Sequence, residues 1–117
     1  ATDTFVVTRG MDGCIHVYPL DQWKEVEEKL WKLSPFNQKH SKLTRLLLQD
    51  ASEEKLDSQA RIILPGHLIE HAKIEKEVLI IGAFRKIEVW SPAVYEEYLK
   101  NSEETFEQIA EEVMSIG

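Results

Sequence analysis

Asp57 and Arg61 stand four residues apart around the short polar stretch Ser58-Gln59-Ala60. Such spacing closes a tight turn, because an aspartate accepts hydrogen bonds from backbone amides a few residues on. The arginine is then free to project beyond the turn. Its forked donors suit a phosphate or a base edge, where two bonds form in one plane. An Asp–Arg pair that merely locks the turn is the plainer alternative. Arg85 and Lys86 top a second candidate turn, and Arg9 lies in the corresponding region of an earlier one. These three are candidate phosphate contacts if the fold gathers them with Arg61, and ordinary solvated cations if it does not.

Other reactive residue types lead less far. Cys14 and His16 are two apart, on one face of a strand, which could pair a nucleophile with its base. A half-buried hairpin cysteine explains the same residues. His67 and His71 would share a helix face, with Glu70 and Glu75 near in sequence. Zinc needs three or four ligands, and no second histidine or cysteine pair supplies them. No metal and no cofactor is therefore expected. No glycine-rich phosphate loop, nucleophile elbow or paired-carboxylate set is visible, so no enzymatic activity is expected either.

The chain has 117 residues and a formal net charge of −7. One domain, or two very small ones sharing a core, fits that length. Charged residues make up 30%, and the apolar runs fall far short of the ~18 residues a membrane helix needs. A reducing, cytoplasmic setting is the default for a chain with one cysteine. A net negative charge argues against nucleic acid, but its distribution is uneven. Residues 96–117 hold seven Glu and one Lys, and the remaining 95 residues hold 13 basic and 14 acidic groups. The acidity sits in a tail, and a near-neutral body can still carry a basic face.

The elements that would position these residues repeat. Phe5–Thr8 and Ile15–Tyr18 read as one hairpin, and Val78–Ile81 and Ile87–Trp90 as another. A constant offset of 72 superimposes them, matching Val7 with Leu79, Gly10 with Gly82, Ile15 with Ile87, Tyr18 with Trp90 and Trp23 with Tyr95. An internal duplication follows. Each hairpin leads into a helix, the first capped by Asp21 and starting at Gln22, the second opened by Ser91-Pro92. The second copy has a leader, Leu56–Pro65, that reads as strand, tight turn, strand, followed by a short helix from Gly66 to Lys73. Subtracting the offset puts its counterpart before Ala1, so the first repeat is expected to lack its leader. Asp21–Leu33 and Asn37–Ala51 read as helices between the copies. Phe106, Ile109, Val113 and Ile116 give the tail helical spacing. The expected units are 1–51, a first repeat with its helices; 52–101, a second repeat; and 102–117, an acidic helical tail.

Three stretches in order, VYPLDQWKEVEEKL, LTRLLLQDASEEKLDSQARIILP and HAKIEKEVLIIGAFRKIEVWS, resemble the MraZ family of bacterial transcriptional regulators. The resemblance runs from Phe5 to about Glu112. It implies an α+β chain, mainly β barrel with peripheral helices, in which two AbrB-like repeats interlock as swapped hairpins. It also implies ring assembly and binding to short direct repeats of double-stranded DNA. These lie upstream of the family's own operon, at the head of the division and cell-wall gene cluster, so a nucleoid-associated protein is expected. A D-x-x-x-R signature lies on the family's DNA-facing side, and Asp57 and Arg61 occupy it here. Ala60 stands where the family commonly has glycine, which strains the turn if that site needs a positive φ. No such signature precedes Phe5. The alternative is a protein-interaction module that uses the leucine-rich helix and the acidic amphipathic tail without touching DNA.

Overall fold

The computed structural model describes residues 3–114. Its strands are β1 (Thr4–Arg9), β2 (Ile15–Pro19), β3 (Ser52–Lys55), β4 (Leu79–Ala83) and β5 (Lys86–Trp90). They form one antiparallel sheet in the order β3-β1-β2-β5-β4. The helices are α1 (Leu20–Trp31), α2 (Gln38–Asp50), α3 (Gly66–His71), α4 (Pro92–Lys100) and α5 (Phe106–Met114). The architecture is α+β and built on two repeats, as the duplication implies. Among the described residues the sheet stays open, with β3 and β4 at its edges.

The repeats join at the centre of the sheet. β2 pairs with β5 through Ile15↔Val89, His16↔Glu88 and Val17↔Ile87. Under the offset of 72 the two outer pairs map onto each other and His16↔Glu88 maps onto itself. His16 and Glu88, equivalent positions of the two copies, therefore face each other on a local two-fold axis. The leader of the second repeat crosses over as well: β3 pairs with β1 of the first repeat. That exchange interlocks the halves.

Strand alternation assigns the two faces. Val7, Ile15, Val17 and Val89 form the core with Leu68 and Ala72 of α3. On the opposite face lie Val6, Thr8, His16, Glu88 and Trp90. There Thr8 donates its hydroxyl to the Leu47 carbonyl of α2 at 3.0 Å, and Trp23 of α1 is buried.

Local chemistry sets the helix ends. Asn37 caps α2, its side chain accepting from the amides of Lys39 and His40 at 2.9 and 3.1 Å. Ser91 accepts from Val94 to open α4. α5 begins with a reciprocal box: Gln108 N–H donates to Thr105 Oγ1 at 3.1 Å, and Thr105 N–H donates to Gln108 Oε1 at 2.8 Å.

Several expectations shift. Helix α1 starts at Leu20, not Gln22; Pro19 supplies the fixed φ before it, and Asp21 bonds only the next amide, that of Gln22. Helix α3 ends at His71, because Ala72 closes it and Lys73 turns to a φ of 57°. The leader's strand is Ser52–Lys55, ahead of the expected place, and Ile62–Pro65 forms no ladder. Gly82 is not a turn residue; it pairs with Ile87 inside β4, and Phe84-Arg85 makes the turn. Ile116 of the tail's apolar series lies outside the described residues.

Candidate nucleic-acid interface

Asp57 builds the turn that carries Arg61. Its own N–H donates to the Arg61 carbonyl at 2.8 Å, and its carbonyl accepts from Ala60 at 3.0 Å. Its Oδ1 accepts from the amides of Gln59 and Arg61 at 2.8 and 2.9 Å, and its Oδ2 from Arg61 Nε at 3.0 Å. The Arg61 and Gln59 amides, followed by the guanidinium, hold the Asp57 carboxyl below its ordinary range. Among the described residues, Nε is the one guanidinium atom of Arg61 in a hydrogen bond. The side chain is 69% exposed, so its terminal amino groups remain available to a ligand.

Strand register places the other candidates. β3 ends at Lys55, opposite Thr4, and β1 in turn sets Phe5 opposite Pro19. β5 starts beside the end of β2, since Val17 pairs with Ile87. The Asp57–Arg61 turn and the Arg85-Lys86 turn thus share one end of the sheet. Arg85 is partly engaged there, its Nη1 donating to Glu25 of α1 at 3.1 Å. Arg9 lies at the opposite end, opposite Ile15. Its Nε binds Asp50 of α2, whose side chain is buried. The structure therefore separates Arg9 from the other four candidates and gives it a structural partner.

Nearly the whole chain matches the family described as "MraZ protein, putative antitoxin-like", in two segments, residues 1–46 and 47–115. Similar proteins named "Transcriptional regulator MraZ" come from Caldanaerobacter subterraneus subsp. tengcongensis and Thermoanaerobacter pseudethanolicus. They are 49% and 47% identical over 110 residues, 93% of this chain and 76% of each relative. That of Pediococcus pentosaceus is 44% identical over 114 residues, 97% of this chain and 79% of the relative. The chain belongs to the MraZ family.

In this MraZ-family turn Ala60 adopts a φ of 57°. A left-handed L-residue costs about 1–2 kcal/mol. Glycine would remove that strain but loosen the unfolded chain by roughly 0.4–1 kcal/mol. Ala60→Gly is therefore expected to stabilise the protein by about 0.5–1 kcal/mol. The measurement is the urea midpoint at unchanged slope; an unmoved or lowered midpoint would mean that the turn relaxes without strain.

Cys14 does not fit the nucleophile reading. It is fully buried, and burial, then the Glu88 charge, pushes its thiol up to about 12. Of the helical histidines, His67 lies 3.3 Å from the Asp50 carbonyl, and His71 Nε2 is buried with no hydrogen-bond partner among the described residues. Two residues of structural weight escape sequence reasoning, Asp50 and Glu88. Both act across elements distant in sequence, and spacing carries no signal of that.

Proposed function

We propose that this chain regulates transcription by binding double-stranded DNA, with Arg61 as its main contact. The observation that carries the reading is the Asp57 turn, which fixes an exposed guanidinium, bonded through Nε alone among the described residues, at the same end of the sheet as a second basic turn. The names of the relatives support the same role. Asp57 orients Arg61, while Arg85 and Lys86 add phosphate contacts; Arg9 is the weakest of the five candidates. The targets are direct repeats in the promoter region of its own operon, within the division and cell-wall gene cluster. The working place is the cytoplasm, at the nucleoid.

Self-association into a ring completes the proposal. A compact chain of 13.6 kDa exposes about 6,600 Å² by size scaling, and this one exposes 9124 Å². Its radius of gyration is 16.1 Å, against about 13 Å for a compact domain of this length. Trp31 and Phe36 are 89% and 94% exposed. Neighbouring copies would cover such surface and bring several Arg61 side chains onto one duplex.

Fluorescence anisotropy on labelled direct-repeat DNA across a salt series tests the reading. Log affinity should fall linearly with log salt, with a slope of roughly −0.9 per phosphate neutralised, and a scrambled duplex should bind more weakly. Salt-insensitive or absent binding would move the function to protein partners, for which the apolar residues Phe106 and Val113 of α5 stand exposed.

A further inference from the structure

Three ligand-type side chains converge where the repeats meet. Cys14 Sγ, His16 and Glu88 offer donor atoms that all lie within 4.8 Å of one another. Cys14 and His16 are buried, and Glu88 is partly exposed. His16 Nε2 and Glu88 Oε2 stand 3.6 Å apart, too far for a good hydrogen bond. Tetrahedral zinc with ordinary bond lengths would set the edges between such donors at roughly 3.3–3.6 Å.

Two of the three ligands are also held from behind. Tyr18 OH lies 3.4 Å from His16 Nδ1, which leaves Nε2 for the cluster. Trp90 Nε1–H donates to Glu88 Oε1 at 3.0 Å, which leaves Oε2. The Cys14 thiol donates to the Met11 carbonyl at 3.2 Å, a proton it can release. The Tyr18 and Trp90 contacts are of the kind that orients metal ligands and tunes their affinity. Gly10 closes the cluster on one side: a Cβ there would stand 2.6 Å from Cys14 Sγ and 2.5 Å from the His16 ring. The loop thus packs its backbone directly on the ligands.

We infer that Cys14, His16 and Glu88 bind one divalent transition-metal ion, with zinc the best match to a thiolate, an imidazole and a carboxylate. Water takes the fourth position, on the partly exposed Glu88 side. Binding releases the Cys14 proton to solvent, so thiolate and carboxylate together neutralise the ion. The site ties the two repeats together at their axis.

The test is titration of cobalt(II) into chelator-treated, full-length protein. Binding of one equivalent with a near-ultraviolet sulfur-to-cobalt charge-transfer band, displaced by zinc, is the expected result. Cys14→Ser should abolish that band, and Tyr18→Phe should weaken binding about tenfold. Circular dichroism checks that both variants fold. Glu88→Gln serves as a second ligand variant and should also weaken binding. Absence of stoichiometric binding, or binding with no charge-transfer band, would overturn the site. So would affinity unchanged in Glu88→Gln.

Discussion

Replacing Arg61 by alanine is expected to lower affinity for direct-repeat DNA about thirtyfold or more and to leave the fold intact. The side chain is 69% exposed, and among the described residues its one side-chain bond is to Asp57. The turn itself rests on backbone amides that alanine keeps. Stability therefore changes little. Binding changes more, because each arginine contact to DNA is worth about 1–3 kcal/mol. Two copies on one duplex lose that amount twice, and each 1.4 kcal/mol is about tenfold. The salt slope should flatten by roughly 0.9 for every phosphate left without its arginine. Arg61→Lys is informative beside it, because lysine keeps the charge but not the planar fork. If the alanine variant keeps affinity and slope at an unchanged oligomeric state, Arg61 only locks its turn.

Replacing Arg9 by methionine acts on stability instead, with an expected loss of roughly 2–3 kcal/mol. Asp50 is buried at the end of α2, and the Arg9 guanidinium is its ionic partner. Burial alone would raise the Asp50 pKa. The Arg9 hydrogen bond and charge, with Gln49, outweigh it and leave the pKa below the ordinary 3.8. Methionine fills similar volume but strands the carboxylate. The effect depends on pH with a defined sign. A depressed carboxylate pKa stabilises the fold above its unfolded value, and that contribution vanishes as pH falls through the folded value. The gap between wild type and Arg9→Met should therefore be full at neutral pH and narrow as pH falls through the variant's Asp50 pKa, which burial raises once its partner is gone, and then through the depressed wild-type value. Denaturant melts at pH 7 and pH 3 measure it. A double variant, Arg9→Met with Asp50→Leu, should recover much of the loss. An Arg9→Met protein of normal stability and weakened DNA binding would instead return Arg9 to the interface.

Both hairpins, the four longer helices and the Asp57 turn are legible in the sequence. Apolar alternation, Asn37, Ser91 and the polar turn residues are local signals, and local chemistry decides those elements. β3 is not legible, because Ser52-Glu53-Glu54-Lys55 carries no apolar alternation, as suits an edge strand. Gly82 reads as a turn residue through its match with Gly10. Yet Gly10 is needed for close contact with His16 and Cys14, whereas among the described residues a Cβ at Gly82 would meet nothing within 4 Å beyond its own chain neighbours. The offset establishes which positions are equivalent but not that β2 pairs with β5. Hence spacing alone cannot join Glu88 to Cys14 and His16. Arg9 resembles Arg85 by position alone, and only the packing of α2 against β1 reveals its partner.

The His16↔Glu88 register has a consequence for how such a fold can change. In a symmetric pair of separate, identical halves, a residue on the two-fold axis must face its own copy. Glutamate there would set carboxylate against carboxylate, and histidine would set imidazole against imidazole. Joining the halves in one polypeptide removes that restriction. The two positions can then diverge in charge and chemistry, and the axis becomes the place where an asymmetric, complementary pair is first permitted.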